Sequence, residues 1–200
     1  MKLHYMGKYN LDESSLPCGK HKPNAVKFKE AEDSAELGKI ANITALAIMV
    51  VFGIIAMIRI FFDKEANYSF GAFLVGYVLS MLTLFPHELL HGLCFRKDVY
   101  VYTNLKHGML FVVGTEDMSK LRFVFMSLLP NFVFGLVPYV IGMINPQYVF
   151  LLVMGTMCIG MGAGDYYNIY NAMTQMPKGS RTYIHGFHSY WYMPEDKYEC

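Results

Sequence analysis

Four long uncharged runs of apolar residues constrain this chain more than any other feature. They are residues 40–58, 69–86, 123–144 and 146–164. As a helix, each run is long enough to cross a hydrocarbon core of about 30 Å. With 54% hydrophobic and only 16% charged residues, the chain is more apolar than an ordinary soluble domain. We therefore expect a mostly α polytopic membrane protein with four transmembrane helices, whose first partner is the lipid bilayer.

Positive charges flanking these runs predict the orientation of the chain. Before the first run lie Lys20, Lys22, Lys27, Lys29 and Lys39, and between the second and third lie Arg96, Lys97, Lys106, Lys120 and Arg122. The opposite loops hold only Lys64 and, at the membrane edge, Arg59. Because cytoplasmic loops carry an excess of Lys and Arg, both termini are expected in the cytoplasm of a multi-pass cell-membrane protein. Residues 1–38 contain no apolar stretch typical of a signal peptide, so the first run is expected to be an uncleaved anchor.

The remaining segments suggest three regions. Residues 1–38 are polar and are expected to form a solvated cytoplasmic segment, followed by a four-helix membrane domain at 39–175 and a cytoplasmic tail at 176–200. Aromatic residues in the tail favour a position against the lipid headgroups. Between the second and third runs, β-branched and aromatic residues at 99–103 and 109–113 predict a short cytoplasmic β-hairpin, about 99–113.

Charge and cysteine content exclude some classes of function. A net charge of +1 with no basic stripe gives no basis for nucleic-acid binding. The four cysteines are widely scattered and form no CxxC pair, which indicates isolated reduced thiols.

The segment His87-Glu88-Leu89-Leu90-His91 stands at the end of the second run and has the HExxH spacing. This spacing places two imidazoles one helical turn apart on the same face, where both can bind one metal ion. The glutamate between them can face a metal-bound water and act as general base. The pattern predicts a Zn²⁺ site with His87 and His91 as metal ligands and Glu88 as the catalytic residue.

Catalytic zinc usually takes three protein ligands, and Asp165 is the leading candidate for the third. It is the only acidic residue between Lys120 and Glu195, and it follows the glycine-rich end of the fourth run. If the second and fourth helices begin at Phe70 and Tyr148, His87 and Asp165 each lie 17 residues further on, or about 25 Å along a helix. The glycines would let the two helices approach closely. Glu116 and Asp117 are the alternatives, in a loop outside the membrane.

For several other polar residues the sequence is compatible with two roles. Asn131 could hydrogen-bond a substrate or join two helices, and Asn168 could orient Asp165 or be exposed. The histidines His107, His185 and His188 could be ligands, although exposed positions are more usual for loop histidines. Pro86 leaves the Leu82 carbonyl without its usual partner, which predicts a bend just before the site.

These residues resemble those of small bacterial zincin membrane peptidases, a family similar to site-2 intramembrane proteases. The resemblance rests on residues 86–93, on Gly162-Ala163-Gly164-Asp165 and, more loosely, on residues 23–28, and it covers most of the chain. It implies zinc bound by His87, His91 and Asp165, with Glu88 catalytic. Site-2 proteases have an Asn-Pro-Asp-Gly-like sequence around the third ligand, whereas this chain has Gly-Ala-Gly-Asp-Tyr-Tyr-Asn at 162–168.

The expected function is zinc-dependent hydrolysis of a peptide bond, at or near the cytoplasmic face of the membrane, in a peptide or membrane-protein substrate. The alternative is a catalytically inactive membrane protein in which zinc serves structure or the binding of a partner. Metal transport is less well supported, because the other spans carry too few polar residues for a path through the bilayer.

Overall fold

The computed structural model describes residues 2–64, 66, 69–104, 106 and 109–194 of the chain. The described part is mostly helical, with two small sheets. The helices are numbered α1 to α7 and the strands β1 to β7 in chain order.

Helix α1, Ser34–Phe61, is the longest helix and begins at a well-formed cap. The Asp33 side chain accepts hydrogen bonds from the backbone N–H groups of Ala35 and Glu36, which satisfies donors that the first turn leaves free. Large apolar side chains such as Ile43 and Leu46 are more than half exposed along the helix. A helix of this length with such an exterior suits a lipid environment.

The second membrane-length helix is interrupted close to the HExxH segment. Helix α2, Phe70–Leu82, and helix α3, Leu84–Leu93, meet at Thr83. Pro86 has no N–H to donate to the carbonyl one turn earlier, so the hydrogen-bonding pattern is incomplete here. The Thr83 carbonyl accepts from the His87 N–H at 2.8 Å, and its hydroxyl donates to the Ser80 carbonyl at 2.6 Å. The interruption lies just before the site, where the sequence predicts a bend.

The third membrane-length helix contains an irregular turn at its centre. Helix α4, Lys120–Pro130, continues into a π-helical segment, Asn131–Leu136, and then into α5, Val137–Ile144. Single π-helical turns inside α-helices are frequent at functional sites. Asn131 begins this turn.

The fourth apolar run forms two helices rather than one. Helix α6, Val149–Met161, and helix α7, Ala163–Gln175, meet at Gly162, and the pair bends by 48° there. Gly160 packs on Met49 of α1, and Gly162 packs on Asn131 of the third helix. The close approach to α2 is made instead by Gly76, which lies on the α6 backbone. The sequence predicts that the glycine-rich end of α6 packs closely on the second helix. This prediction is wrong, because these glycines pack on α1 and on the third helix instead.

Among the described residues, three helices are long and apolar enough to cross a membrane: Ser34–Phe61, Phe70–Leu93 and Lys120–Ile144. The bent pair Pro146–Met161 and Ala163–Gln175 makes a fourth if it forms one span. These lengths and compositions fit a multi-pass membrane protein.

A three-stranded sheet contains the predicted hairpin. Strand β3, Val99–Asn104, pairs antiparallel with β4, Met109–Gly114, with Val101 opposite Val112. The antiparallel pairing expected at about 99–113 is thus confirmed, whereas the cytoplasmic position of the hairpin stays a prediction. Strand β1, Leu3–Lys8, adds to β3 in parallel, so the sheet order is β1-β3-β4 and β4 is at an edge.

A second sheet joins the two ends of the chain. It has the order β2-β7-β6-β5, from Val26–Lys27, His188–Tyr192, Arg181–His185 and Met118–Ser119. The sequence predicts a solvated segment at 1–38. This prediction is wrong, because Tyr9, Leu16 and Phe28 are buried. The polar composition of this segment gives no sign of strands β1 and β2, which pair with residues about 90 to 165 positions away.

Candidate metal centre

Helix α3 brings the two histidines of the HExxH segment together. His87 and His91 lie one turn apart, and their Nε2 atoms are 3.2 Å from each other. His91 is buried and His87 is partly buried. Ligand atoms of His87, Glu88 and His91 all lie within 4.8 Å of one another, a grouping that could hold a metal ion.

Asp165, in the first turn of α7, faces both histidines. Its Oδ2 lies 3.1 Å from His87 Nε2, and its Oδ1 lies 3.1 Å from His91 Nε2. The depth that the sequence predicts for His87 and Asp165 agrees with this contact. Because the chain bends at Gly162, Asp165 lies just after the bend, in the first turn of α7, rather than at the end of a straight helix.

The separations among these three side chains fit a tetrahedral ion. With ligand bonds of about 2.0–2.2 Å, neighbouring ligand atoms around tetrahedral zinc are roughly 3.3–3.6 Å apart. The observed separations of 3.1, 3.1 and 3.2 Å are close to that spacing. Glu88, by contrast, has an oxygen that accepts the backbone N–H of Val112. We therefore favour Asp165 over Glu88 as the third ligand.

The hydrogen bond at the far side of His91 strengthens this conclusion. His91 Nδ1 lies 3.0 Å from the Met126 carbonyl, which can only accept, so Nδ1 carries the hydrogen. In neutral His91, Nε2 then carries a lone pair and no hydrogen. It faces Asp165 Oδ1, so two acceptor atoms lie against each other. A cation between them relieves this contact. Histidine ligands of metals are commonly fixed in this way by a carbonyl behind the ring.

Glu88 is held by the hairpin. Its Oε2 accepts a hydrogen bond from the backbone N–H of Val112 in β4 at 3.1 Å. Helix α3 supplies the carboxylate, and the edge strand of the sheet orients it. The site is therefore built from helices and from the hairpin together.

The sequence leaves the role of Asn131 open, and in the structure its side chain contacts Asp165. Its Nδ2 donates to Asp165 Oδ2 at 2.7 Å and to the Ser127 carbonyl at 3.1 Å. Asn131 is buried, and a Cβ at Gly162 would overlap its Oδ1. The glycine at the bend of α6 and α7 thus makes room for the amide that holds Asp165.

The alternative third ligands have other partners. Glu116 pairs with Arg122 at 2.6 Å and accepts the backbone N–H groups of Arg96 and Lys97. Asp117 pairs with Arg181 at 2.6 Å. Burial opposes ionisation of Asp117, but hydrogen bonds from Tyr192 and Arg181 and the Arg181 charge lower its pKa to about 2. Both carboxylates therefore join segments of the fold.

The remaining polar candidates have positions or contacts away from the two histidine rings. His185 Nδ1 donates to the Gly19 carbonyl at 2.8 Å, and His188 lies beside Glu30. Asn168 lines the same cavity as Asp165. His107 lies outside the described residues.

A cavity of about 450 Å³ opens onto the cluster. It reaches His87, Glu88, His91 and Asp165, and it extends to Glu30 and Ala31 of the N-terminal segment. Sequence reasoning missed Glu30, because it is one of several acidic residues in the charged run 27–36. The one local signal is that apolar Phe28 and Ala31 flank it, and both are buried.

The fold and site define a mostly helical protein with membrane-length helices and a His-Glu-His cluster able to hold a metal ion. The chain belongs to the family described as "Putative zincin peptidase", whose model matches residues 80–181. The match contains the HExxH segment, the hairpin and Asp165. It confirms the resemblance to zincin peptidases, and zinc is the metal that this class implies. No match was found among curated proteins or among solved structures.

Proposed function

We propose that this protein is a zinc-dependent membrane metalloprotease, in which His87, His91 and Asp165 hold the metal and Glu88 is the general base. One observation carries the proposal. Two imidazole nitrogens from α3 and a carboxylate from α7 lie within 3.1–3.2 Å of one another at the wall of a cavity. Family membership supports a zinc metallopeptidase in general terms.

When bound, zinc would polarise the scissile carbonyl and lower the pKa of a coordinated water towards about 7. Glu88 takes a proton from the attacking water and passes it to the leaving amine. The Val112 N–H holds one Glu88 oxygen, so the other remains available for the proton. Asn131 keeps Asp165 facing the histidines.

The edge strand β4 is a suitable place for an extended substrate. Val112 donates its N–H to Glu88 rather than to β3, so this group faces the open edge. Hydrogen-bonding groups alternate along an antiparallel strand, and Leu110 therefore has its N–H on the same edge. A substrate segment added to this edge would run past Glu88.

The arrangement of the membrane-length helices also suggests on which side of the membrane cleavage occurs. We propose that the bent pair forms the fourth span, with both termini and the hairpin in the cytoplasm. The division into segments 1–38, 39–175 and 176–200 then describes the path of the chain, although strands from the two terminal segments join one sheet. Cleavage would occur at or near the cytoplasmic membrane face.

The test is cleavage of a single-span test substrate by the full chain in proteoliposomes. Glu88→Ala should abolish cleavage and keep the zinc, because Glu88 acts on the water and is not a ligand. Glu32→Ala is the control, since the Glu32 side chain is 79% exposed. Retained cleavage in Glu88→Ala would refute the assigned base. A wild-type protein that holds zinc but cleaves none of a range of peptides would favour the inactive alternative.

A further inference from the structure

The charge of the cavity is unbalanced. Its walls contain three carboxylates, those of Glu30, Glu88 and Asp165, and no Lys or Arg among the described lining residues. A zinc ion would offset two of these negative charges and leave one. Glu88 and Asp165 belong to the proposed catalytic centre, whereas Glu30 has no part in it.

Glu30 is held firmly in place by its neighbours in sequence. The Lys29 N–H donates to Gln175 Oε1 at 2.7 Å, and Gln175 Nε2 donates to the Lys29 carbonyl at 3.0 Å. The Ala31 N–H donates to the Tyr167 hydroxyl oxygen at 2.9 Å. Both Gln175 and Tyr167 lie on α7, the helix that carries Asp165. The position of Glu30 is therefore fixed relative to the metal centre.

The carboxylate of Glu30 has little compensation for its charge. Its side chain is only 10% exposed, and Oε1 accepts the Ser189 N–H at 2.7 Å. Within the described part of the chain, the one ion-pair partner within 4 Å is the His188 ring, which is cationic only when protonated and lies at 3.7 Å. The nearby Lys27 pairs with Glu32 instead. A buried carboxylate without a close cationic partner is costly unless something else supplies the charge.

We propose that Glu30 forms a substrate-binding subsite for a cationic group, an ammonium or guanidinium, within the cavity of the metal centre. This inference rests on the proposed peptidase function. The cationic group comes from a Lys or Arg side chain of the substrate or from its amino terminus. Bound there, it forms a charge-assisted hydrogen bond to Glu30 and sets which peptide is presented to Glu88.

The titration of Glu30 supports this role. Burial raises its pKa to about 7, against the lowering effect of the Ser189 hydrogen bonds and of Lys27. The charged neighbours that act on this pKa are Lys27, which lowers it, and Glu32, which raises it. The His188 ring also faces Glu30, with Nδ1 at 3.7 Å from Oε1. A cationic ligand would stabilise the ionised form.

The experiment compares matched substrates that differ in one charge. Single-span test substrates carry Lys at successive positions near the cleavage site, or norleucine at the same position, with the amino terminus free or acetylated. Wild type should prefer the best Lys substrate over its norleucine partner by about tenfold in kcat/KM, as a hydrogen bond to a charged group predicts. Glu30→Gln should bring this ratio close to one. Gln keeps an oxygen for the Ser189 N–H.

Glu32→Gln is the matched control and should keep the wild-type ratio. A wild-type preference for the free over the acetylated amino terminus, abolished in Glu30→Gln, would make the amino terminus the cationic group. A Lys preference that acetylation leaves unchanged would make it the Lys side chain. Equal cleavage by wild type in both comparisons, Lys with norleucine and free with acetylated amino terminus, would overturn the subsite, as would preferences that stay unchanged in Glu30→Gln. If Glu30→Gln folds poorly, the wild-type comparisons still test the subsite, because the absence of both preferences in wild type would overturn it.

Binding separates failure of the subsite from failure of the peptidase. Fluorescent Lys and norleucine peptides are titrated against Glu88→Gln, with and without Glu30→Gln. A preference for Lys of about tenfold in Kd that depends on Glu30 would support the subsite even if no substrate is cleaved. Equal binding of the Lys and norleucine peptides, and of their free and acetylated forms, would overturn it, whatever the cleavage assay shows.

Discussion

Replacing Asn131 by Ala should weaken zinc binding without emptying the site. The amide donates to Asp165 Oδ2 at 2.7 Å and leaves Oδ1 beside His91. A hydrogen bond to a charged group contributes about 1.5–3 kcal/mol. If this bond holds Asp165 in its ligand position, its loss weakens zinc binding roughly 10- to 100-fold, the usual range for a residue behind a metal ligand. The fold should tolerate the change, because Asn131 Oδ1 is buried without a partner.

Competition between the protein and a fluorescent zinc chelator measures this affinity directly. Asn168→Ala is the matched control, since Asn168 lies one turn after Asp165 and lines the same cavity. We expect a change of less than about threefold for the control, because surface substitutions without a specific contact have small effects. Wild-type zinc affinity in Asn131→Ala, or an equal loss in Asn168→Ala, would refute the reasoning.

Three further predictions follow from contacts around the site and the sheets. Gly162→Ala should lower the melting temperature and weaken zinc binding, because its Cβ would overlap Asn131; Gly164→Ala, with no atom within 4 Å of the added Cβ, should match wild type in both measurements. Glu30 has a folded pKa of about 7 against an ordinary value of 4.5. The folded state therefore binds more protons between these values, and stability falls as pH rises through them. Glu30→Gln should remove this slope and gain at most about 3 kcal/mol above pH 7, seen as a higher melting temperature at pH 8 than wild type. Asp117, with a folded pKa of about 2, stabilises the fold above its ordinary value of 3.8. Asp117→Asn should lower the melting temperature at pH 7, and the difference should shrink as the pH falls towards 2.

Much of the helical part could be predicted from the sequence, because uncharged apolar runs of membrane length have few other stable structures. The HExxH segment identifies its own geometry, since helical periodicity places His87 and His91 on one face. Asp165 could be found by elimination, as the one acidic residue in a long uncharged region. The hairpin was recognisable from its two β-branched runs.

The remaining parts depend on contacts between distant residues. Strand β1 pairs with β3 about 96 positions later, and no local pattern indicates such a partner. Glu30 and Glu32 are indistinguishable in sequence, yet one is buried in the cavity and the other is exposed. Asn131 acquires its contact with Asp165 only because Gly162 lies against it at the bend.

The central claim is that His87, His91 and Asp165 hold the metal while Glu88 does not. The most direct measurement is the zinc content of the purified full chain and of three variants, His87→Ala, Asp165→Ala and Glu88→Ala. We predict one zinc per chain in wild type and in Glu88→Ala, and a large loss in the other two. Zinc retained in Asp165→Ala and lost in Glu88→Ala would contradict the account and make Glu88 the third ligand.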